Sequence, residues 1–302
     1  MKKNNSISLV DGSGFIFRAY YALPSLTNKN GTPVGAVIGF CNMLFKLLEE
    51  KKSKKIIVIF DTARKTFRNT IYENYKANRG DPPEDLVPQF ELIRKAVDAF
   101  SVSRLELSGY EADDLIATYS RFFTKKDWDI SIISSDKDLM QLVGDKVHML
   151  DPIKNKLIKK KEVIEKFGVP PEKVIDVQSL AGDSIDNIPG APGIGLKTGA
   201  LLVKEYGSLE NLLLNYSKIK QNKRRESIEK NLDAIKVSKK LVTLKDDIEL
   251  NIDINKISDC EINTKKLIPF LEEHGFNNLK GRLMKKADNI VEHTTQLSKT
   301  KS

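Results

Sequence analysis

Cysteine, histidine and long apolar runs are all scarce in this sequence, and each scarcity excludes a class of protein. Only two cysteines are present, Cys41 and Cys260, which are too few for a disulfide scaffold and lie in no C-x-x-C metal spacing. The three histidines, His148, His274 and His293, occur in neither a catalytic triad pattern nor a zinc spacing. We therefore expect the histidines to be structural or surface residues.

No stretch of the chain approaches the roughly 18 apolar residues that a membrane-spanning helix needs. The basic start, MKK, resembles the first part of an export signal, but the apolar run from Ile7 to Val10 is interrupted by Ser8 and stops at Asp11. The sequence thus predicts no export signal, and its low cysteine content favours a reducing cytoplasm.

The charge balance is basic. The 302 residues carry 50 Lys and Arg against 41 Asp and Glu, a formal net charge of +9. This excess favours an anionic partner such as nucleic acid, although it can also reflect solubility. Because 40% of the residues are hydrophobic, the chain can fill a substantial core, and we expect a soluble globular protein of one large or two moderate domains.

Three apolar runs without alternation predict strands, over Ser6–Val10, Lys55–Phe60 and Asp129–Ile133. Apolar residues at helical spacing follow the first run, over Ala36–Glu50. Apolar runs separated by helices predict an α/β fold in which the strands are buried on both faces of a mostly parallel sheet. In such sheets functional groups gather beyond the carboxyl ends of the strands, where the strand order reverses.

An acid follows each predicted strand. One further segment, GYEADDL at residues 109–115, has three carboxylates within four positions at the start of a predicted helix. With two aspartates from a later glycine-rich segment, the set is Asp11, Asp61, Glu111, Asp113, Asp114, Asp136, Asp138, Asp183 and Asp186. Any one of these could be a helix N-cap or a surface charge, but that alternative explains the whole set poorly.

The crowded carboxylates indicate a metal site. Their mutual repulsion is unfavourable without cations, and Mg²⁺ suits a site of carboxylates, retained waters and substrate phosphates. An acidic centre inside a basic protein is expected if metal ions lie between the carboxylates and a phosphodiester. The corresponding chemistry is two-metal hydrolysis, which needs no Ser, Cys or His nucleophile.

Two other segments predict contacts with nucleic acid. Residues 64–80 interleave Lys and Arg with Phe67, Tyr72 and Tyr75, a mixture that can hold phosphates and stack on bases; the alternative is a solvated loop. The turn PGAPGIG, residues 189–195, leads into a predicted helix and can aim backbone N–H groups at a phosphate; the alternative is a plain helix–helix connection.

Together these segments resemble the 5'-nuclease family, which includes flap endonucleases, phage 5' exonucleases and, nearest in pattern, the N-terminal domain of bacterial DNA polymerase I. The matching segments, in family order, are VDGS (10–13), FD (60–61), TFR (66–68), YKANR (75–79), GYEADD (109–114), SDKD (135–138) and GDSIDNIPG (182–190). The resemblance implies a PIN-like α/β fold with a helical arch and a C-terminal helical subdomain that contains a helix-hairpin-helix motif. The expected domains are 1–167, with the arch at about 64–100, then 168–288, with the hairpin at 188–200, and a polar tail at 289–302.

The resemblance also implies a function and a set of site residues. We expect a metal-dependent 5'-3' exonuclease and flap endonuclease of replication and repair, which holds a single-stranded 5' end beneath the arch. All nine acids are expected to bind metal, and Lys76 and Arg79 to lie near the scissile phosphate. The expected DNA contacts are Arg68, Tyr75, Gly190, Gly193, Gly195, Lys197 and Thr198.

Cofactors and partners follow from the same resemblance. We expect two or more Mg²⁺ ions, for which Mn²⁺ can substitute, and K⁺ at the hairpin. The expected partners are DNA with a 5' flap, nick or single-stranded 5' end and RNA–DNA primer junctions, bound by a monomer in the bacterial cytoplasm without a membrane. The polar C-terminus allows either a stand-alone enzyme or the front of a larger DNA polymerase.

Two other functions stay open at this point. One is a non-catalytic module that binds DNA junctions, and the other is a related metal nuclease that acts on RNA. The glycine-rich, duplex-binding hairpin argues against the second.

Overall fold

A six-stranded sheet runs through the part of the chain that the computed structural model describes, residues 5–50, 53–62, 65–250 and 252–285. The strands are β1 (Ser6–Asp11), β2 (Lys55–Ile59), β3 (Ser103–Leu105), β4 (Asp129–Ile133), β5 (Val147–Asp151) and β6 (Lys156–Ile158). Their order is β3-β2-β1-β4-β5-β6; β4 is parallel to β1 and to β5, and β6 is antiparallel to β5. The predicted α/β class with a mostly parallel sheet is confirmed.

Helices precede and follow these strands in the chain. They are α1 (Gly12–Ala22), α2 (Gly35–Glu50), α3 (Phe67–Ile71), α4 (Val87–Ala99), α5 (Ala112–Thr124), α6 (Lys160–Phe167), α7 (Val174–Ala181), α8 (Leu196–Tyr206), α9 (Leu209–Leu214), α10 (Asn222–Lys230), α11 (Leu232–Val242) and α12 (Thr264–Glu273). Within the described residues, none of the helices has the length and apolar character needed to cross a membrane.

The strand order reverses between β1 and β4. These strands run side by side, with Ser6 opposite Asp129 and Val10 opposite Ile133. Every residue of each strand except the first is buried, which explains why both sequences are apolar without alternation. The residues that follow β1 and β4 therefore meet at one edge of the sheet, as the sequence predicts.

The chain divides into two compact units, and the boundary predicted at 167/168 stays a prediction. The first unit comprises Met1–Gly14, Ile57–Asp81 and Leu105–Ile252, and the second comprises Phe15–Ile56, Pro82–Arg104 and Asp253–Ser302. All nine predicted metal-site acids fall in the first unit. The predicted tail at 289–302 lies outside the described residues.

In the first unit, α7, α8 and α11 pack together after the sheet. The chain leaves α7 at Ala181, forms a hairpin over residues 182–195 and enters α8 at Leu196, so the predicted helix-hairpin-helix arrangement is present. A separate apolar cluster packs Tyr75, from the irregular segment after α3, against Ile188 of the hairpin and Leu241 of α11.

In the second unit, the amide of Gln89 organises the helices. The side chain of Gln89 is 2% exposed, and its Oε1 accepts hydrogen bonds from the N–H groups of Ala36 and Val37 in the first turn of α2. Its Nε2 donates to the carbonyl of Asp85. One buried amide thus satisfies the otherwise unpaired N-terminus of α2 from a position on α4.

The stretch predicted as a helical arch, residues 64–100, contains two helices and an irregular segment. Thr66 caps α3, since its hydroxyl accepts the N–H of Arg68. Residues 73–78 then form turns, and α4 begins at Val87, one turn after the prolines at 82 and 83. Arg64 lies outside the described residues.

Candidate active site

The acids that follow β1 and β2 are fixed at one edge of the sheet. Asp11 ends β1 and is 8% exposed; its Oδ1 accepts the Gly14 N–H and its Oδ2 accepts the Ser134 hydroxyl, each at 2.8 Å. Asp61 follows β2 and accepts the N–H of Ala112, the first residue of α5, at 2.7 Å. These contacts join the ends of β1, β2 and β4 to the start of α5.

Asp113 lies near four other carboxylates, and we refer to this region as the acidic pocket. Burial raises the pKa of Asp113 well above its usual range, and nearby negative charges raise it further. Those charges belong to Asp136, Asp11, Glu111 and Asp61. Burial likewise raises the pKa of Asp11 to about 6. We refer to these five residues, Asp11, Asp61, Glu111, Asp113 and Asp136, as the strand-edge acids.

Asp136 and Asp138 lie in the turn that follows β4. The Ser134 hydroxyl accepts the N–H of Asp136 at 3.0 Å, and Asp136 Oδ1 accepts the N–H of Asp138 at 2.8 Å. Asp138 Oδ1 in turn accepts a hydrogen bond from Gln178 Nε2 on α7 at 2.6 Å. Burial raises the pKa of Asp138 to about 7, with a further rise from Asp136.

The hairpin contributes two aspartates, Asp183 and Asp186. We refer to these two, together with Asp138, as the hairpin acids. Asp183 and Ile188 exchange two backbone hydrogen bonds, which close a tight loop. The Nζ of Lys137 lies 2.5 Å from Asp183 Oδ2. Burial alone would raise the pKa of Asp183, but the contact with Lys137 and the hydrogen bonds from the N–H groups of Ile185 and Asp186 together outweigh burial, and the pKa is lowered.

Lys76 contacts an acid from each group, and Arg79 contacts one of the hairpin acids. Lys76 Nζ lies 2.9 Å from Glu111 Oε2 and 3.9 Å from Asp186 Oδ2. Arg79 donates to Asp186 Oδ1 from Nη2 at 2.5 Å and from Nε at 2.9 Å. The structure thus places both predicted basic residues at the acidic pocket, while their contact with a scissile phosphate stays a prediction.

Asp114 and Arg68 do not fit their predicted roles. Asp114 is fully buried, and its two oxygens contact Nη1 and Nη2 of Arg68 at 2.7 Å each. The same carboxylate accepts the N–H groups of Lys245 and Glu111. Arg68 is 1% exposed, and its Nε donates to the Leu241 carbonyl. The interpretation of Asp114 as a metal ligand and of Arg68 as a DNA contact is therefore corrected: the two form an interior ion pair.

The sequence predicts that Tyr75 stacks on a base, and the structure corrects this as well. Its ring is 5% exposed and packs against Ile188, Leu241 and Val242. Its hydroxyl donates to Glu111 Oε2 at 3.3 Å. A ring enclosed in this way cannot offer a face to a base, so Tyr75 supports the acidic pocket from behind.

The hairpin residues divide into buried and accessible ones. Gly190 is buried, and a Cβ there would lie 2.4 Å from the Gly182 backbone nitrogen. Its N–H also donates to the Ser238 hydroxyl, so Gly190 serves chain packing and its predicted DNA contact is wrong.

The remaining hairpin positions stay candidates for DNA contact. Gly193, Gly195 and Lys197 are exposed, and Thr198 is half-buried in the first turn of α8. Space is open around Gly193 and Gly195, since a Cβ at either would meet no atom within 4 Å. A phosphate could therefore approach their backbone closely.

The donor chemistry of the pocket fits a hard divalent cation. The strand-edge and hairpin acids offer only oxygen ligands. The pKa of Asp113 is raised by burial and, further, by like charges whose repulsion a cation would relieve. No three Asp, Glu, His or Cys side chains in residues 5–50, 53–62, 65–250 and 252–285 already form a metal-binding group. Lys76, Arg79 and Lys137 hold several of the acids instead. Metal binding therefore requires side-chain movement.

Three supporting residues at the pocket were not predicted from the sequence. Ser134 bridges Asp11 and Asp136, Gln178 holds Asp138, and Lys137 holds Asp183. The position of Lys137 between two predicted ligands was the available signal for it. Gln178 carried no local signal, because it reaches the site only through the packing of α7.

Comparison with known proteins gives two adjoining family matches. Residues 6–168 match the family described as 5'-3' exonuclease, N-terminal resolvase-like domain, and residues 169–265 match 5'-3' exonuclease, C-terminal SAM fold. DNA polymerase I of Rhizobium leguminosarum is 51% identical over 296 residues, which cover 95% of this chain and 29% of that protein. The 5'-3' exonuclease of Aquifex aeolicus is 36% identical over 293 residues, which cover 97% of this chain and 99% of that one.

A solved structure is also similar. A bacteriophage T5 flap endonuclease in a pseudo-enzyme-product complex with DNA and metal ions matches with a TM-score of 0.68 at 22% identity, over 80% of this chain and 90% of that chain. At this identity the likeness supports the fold. The chain spans less than a third of the length of the DNA polymerase I that it matches in Rhizobium.

Proposed function

Because this chain belongs to the 5'-3' exonuclease family, we propose that it is a metal-dependent 5'-3' exonuclease and flap endonuclease of DNA. Its proposed substrates are 5' flaps, nicks, single-stranded 5' ends and RNA–DNA primer junctions. Mg²⁺ is the proposed ion, with Mn²⁺ able to substitute and K⁺ at the hairpin. The proposed setting is the bacterial cytoplasm, where the chain acts as a monomer beside or fused to a DNA polymerase.

One observation carries this proposal: crowded carboxylates lie directly beside basic side chains. Burial and then the other strand-edge acids raise the pKa of Asp113, and Lys76 Nζ lies 2.9 Å from Glu111, one of the same acids. A site that only bound DNA would need the basic residues but would gain nothing from buried, mutually repelling acids. Hydrolysis of a phosphodiester needs both.

Different residues of the chain have different roles in the proposed hydrolysis. Bound divalent ions would supply Lewis-acid stabilisation of the phosphate and a more acidic water. The strand-edge and hairpin acids would hold the ions, and Ser134 and Gln178 orient Asp11, Asp136 and Asp138 through hydrogen bonds. Lys76 and Arg79, released from their carboxylate partners, stabilise the negative charge that develops on the phosphate.

Cleavage of a labelled 5'-flap DNA tests the proposal. We expect cutting near the junction with Mg²⁺, no cutting with a chelator, and a loss of about 100-fold or more for Asp113→Asn, which keeps the shape of the side chain and removes its charge. Asp145→Asn is the matched control, because the side chain of Asp145 is 90% exposed and pairs with Lys160 outside the pocket.

Three results would count against the proposal. Flap cutting by Asp113→Asn at a rate close to that of the unchanged protein would refute the site. Structure-selective binding without a metal-dependent product would indicate a junction-binding module. Preferential cutting of single-stranded RNA would indicate the RNA nuclease alternative.

A further inference from the structure

Lys137 lies between two proposed metal ligands in the sequence and contacts a third. Its neighbours are Asp136 and Asp138, and its Nζ lies 2.5 Å from Asp183 Oδ2. The Lys137 side chain is 36% exposed and that of Asp183 is 13% exposed, so the ammonium can leave toward solvent. The proposed hydrolysis assigns no role to this contact.

The contact involves the carboxylate oxygen that a metal ion would need. Asp183 Oδ1 accepts the N–H groups of Ile185 at 2.9 Å and Asp186 at 3.4 Å, which fix the hairpin loop. Oδ2 is therefore the oxygen that Asp183 can offer to a cation, and Lys137 contacts it. An ammonium at 2.5 Å and a divalent ion at about 2.0–2.1 Å compete for this oxygen, because two positive charges so close to each other repel.

We propose that Lys137 competes with the divalent ion at the hairpin acids, so that metal binds there weakly until a DNA phosphate takes up the released ammonium. This inference rests on the proposed function. The exchange replaces one anionic partner of Lys137 by another, so the charge of the lysine stays compensated. By linkage, metal binding and DNA binding then strengthen each other by the same factor.

Lys137 acts mainly on the hairpin acids. Its ammonium contacts Asp183, and its charge acts more weakly on Asp136, a strand-edge acid. At the strand-edge acids the corresponding ammonium contact belongs to Lys76, which contacts Glu111. A change at Lys137 should therefore shift metal binding at the hairpin acids more than at the strand-edge acids.

Titration of Mn²⁺ into the DNA-free protein, followed by electron paramagnetic resonance of the free ion, tests the competition. We expect Lys137→Met to strengthen Mn²⁺ binding at the weaker class of sites, which the proposal assigns to the hairpin acids, by about tenfold. Mn²⁺ binding at the stronger class should change little. Lys137→Arg keeps the charge and should leave the weaker class weak. Lys137→Gln is expected to behave like Lys137→Met and replaces it if that variant folds poorly.

Two controls separate the competition from other effects. Lys160→Met removes a lysine whose Nζ contacts Asp145 outside both acid groups, and it should not change Mn²⁺ binding. In an Asp183→Asn background, Lys137→Met should no longer tighten binding, because the shared oxygen is gone.

The coupling to DNA has its own measurement. The affinity for 5'-flap DNA is determined by fluorescence anisotropy with and without Ca²⁺, with product formation checked on a gel. The gain in affinity on adding Ca²⁺ should be larger for the unchanged protein than for Lys137→Met.

Unchanged or weaker Mn²⁺ binding by Lys137→Met would overturn the inference, and so would equal Ca²⁺ gains in the two proteins. Failure of the proposed function looks different: the unchanged protein would then bind no Mn²⁺ and show no metal-dependent cleavage.

Discussion

The guanidinium of Arg68 contacts both carboxylate oxygens of Asp114 at 2.7 Å, inside the protein. The residue just before Asp114 is Asp113, whose carboxylate faces four other acids. Consecutive residues on a helix point about 100° apart. Two adjacent aspartates therefore have opposite surroundings: Asp114 is neutralised by Arg68 in the interior, and Asp113 lies beside other acids.

We expect these two aspartates to respond oppositely to replacement. Asp114→Asn or Arg68→Met leaves a buried charge without its partner and should lower the free energy of unfolding by about 3–5 kcal/mol. Asp113→Asn removes a repelled charge and should preserve or raise it. Urea unfolding in the presence of a chelator measures both, and a larger loss for Asp113→Asn than for Asp114→Asn would contradict the assignment.

The metal-free protein should lose stability as the pH rises from about 4 to about 7. Burial raises the pKa of Asp11 to about 6 and of Asp138 to about 7, both from a usual value of 3.8. Over this range the folded state binds more protons than the unfolded state, so the free energy of unfolding falls with rising pH and levels off above it. At about 1.4 kcal/mol per pKa unit, the contribution of Asp11 is at most roughly 3 kcal/mol.

Urea unfolding at pH 4.5, 6 and 7.5 measures this dependence. Asp11→Asn should make the free energy of unfolding decrease less as the pH rises. Added Mg²⁺ should also reduce this decrease near neutral pH, because the ion favours the ionised carboxylates. A profile of Asp11→Asn that parallels the unchanged protein throughout would show that the buried Asp11 carboxyl does not cause the fall.

Two glycines of the hairpin should differ on replacement by alanine. Both have positive φ, +57° at Gly190 and +81° at Gly193, and this alone costs an alanine about 1–2 kcal/mol. Gly190→Ala adds a clash with the Gly182 backbone and should unfold at a clearly lower temperature than Gly193→Ala. Gly193→Ala should keep the fold and weaken duplex binding, because the methyl group projects where a phosphate would approach.

Thermal unfolding and duplex affinity at fixed salt check this pair. Gly144→Ala is the control, since a Cβ there meets no atom within 4 Å and the residue lies outside the hairpin. Unchanged duplex binding by a folded Gly193→Ala would remove the hairpin from the proposed interface.

Lys76→Ala should slow cleavage of bound flap DNA about 100-fold while changing DNA affinity by less than about threefold, because Lys76 acts on charge that develops during the reaction. Single-turnover rates and anisotropy titrations give the two quantities. Lys161→Ala, at a side chain that is 82% exposed, is the control. Equal losses of rate and affinity would show that Lys76 is a general backbone contact.

The sequence predicted the strands that carry strong apolar runs and missed those that do not. β1, β2 and β4 are buried along nearly their whole length, so their composition reveals them. β3 and β6 have three residues each, too short for a pattern, and both include exposed positions. β5 was missed as well, although it is mostly buried, because it has only five residues and His148 interrupts its apolar run. The carboxyl-edge position of the acids could be predicted because it follows from strand polarity alone.

The roles of individual site residues were harder to predict. Arg68 belongs to a segment that matches the family, yet membership in a motif does not show whether a side chain faces solvent or the interior. Its partners are Asp114, 46 positions away, and the carbonyls of Leu241 and Thr243, more than 170 positions away. Such non-local contacts leave no periodicity or spacing in a single sequence.

These distant contacts of Arg68 also set an order of events during synthesis. A nascent chain that has emerged as far as β5 already carries every strand-edge acid, but it lacks the carbonyls of Leu241 and Thr243 and the N–H of Lys245 that complete the Arg68–Asp114 pair. The ribosome must release about 245 residues before the interior support of the pocket can close. A truncated translation product would therefore hold the acids without the framework that positions them.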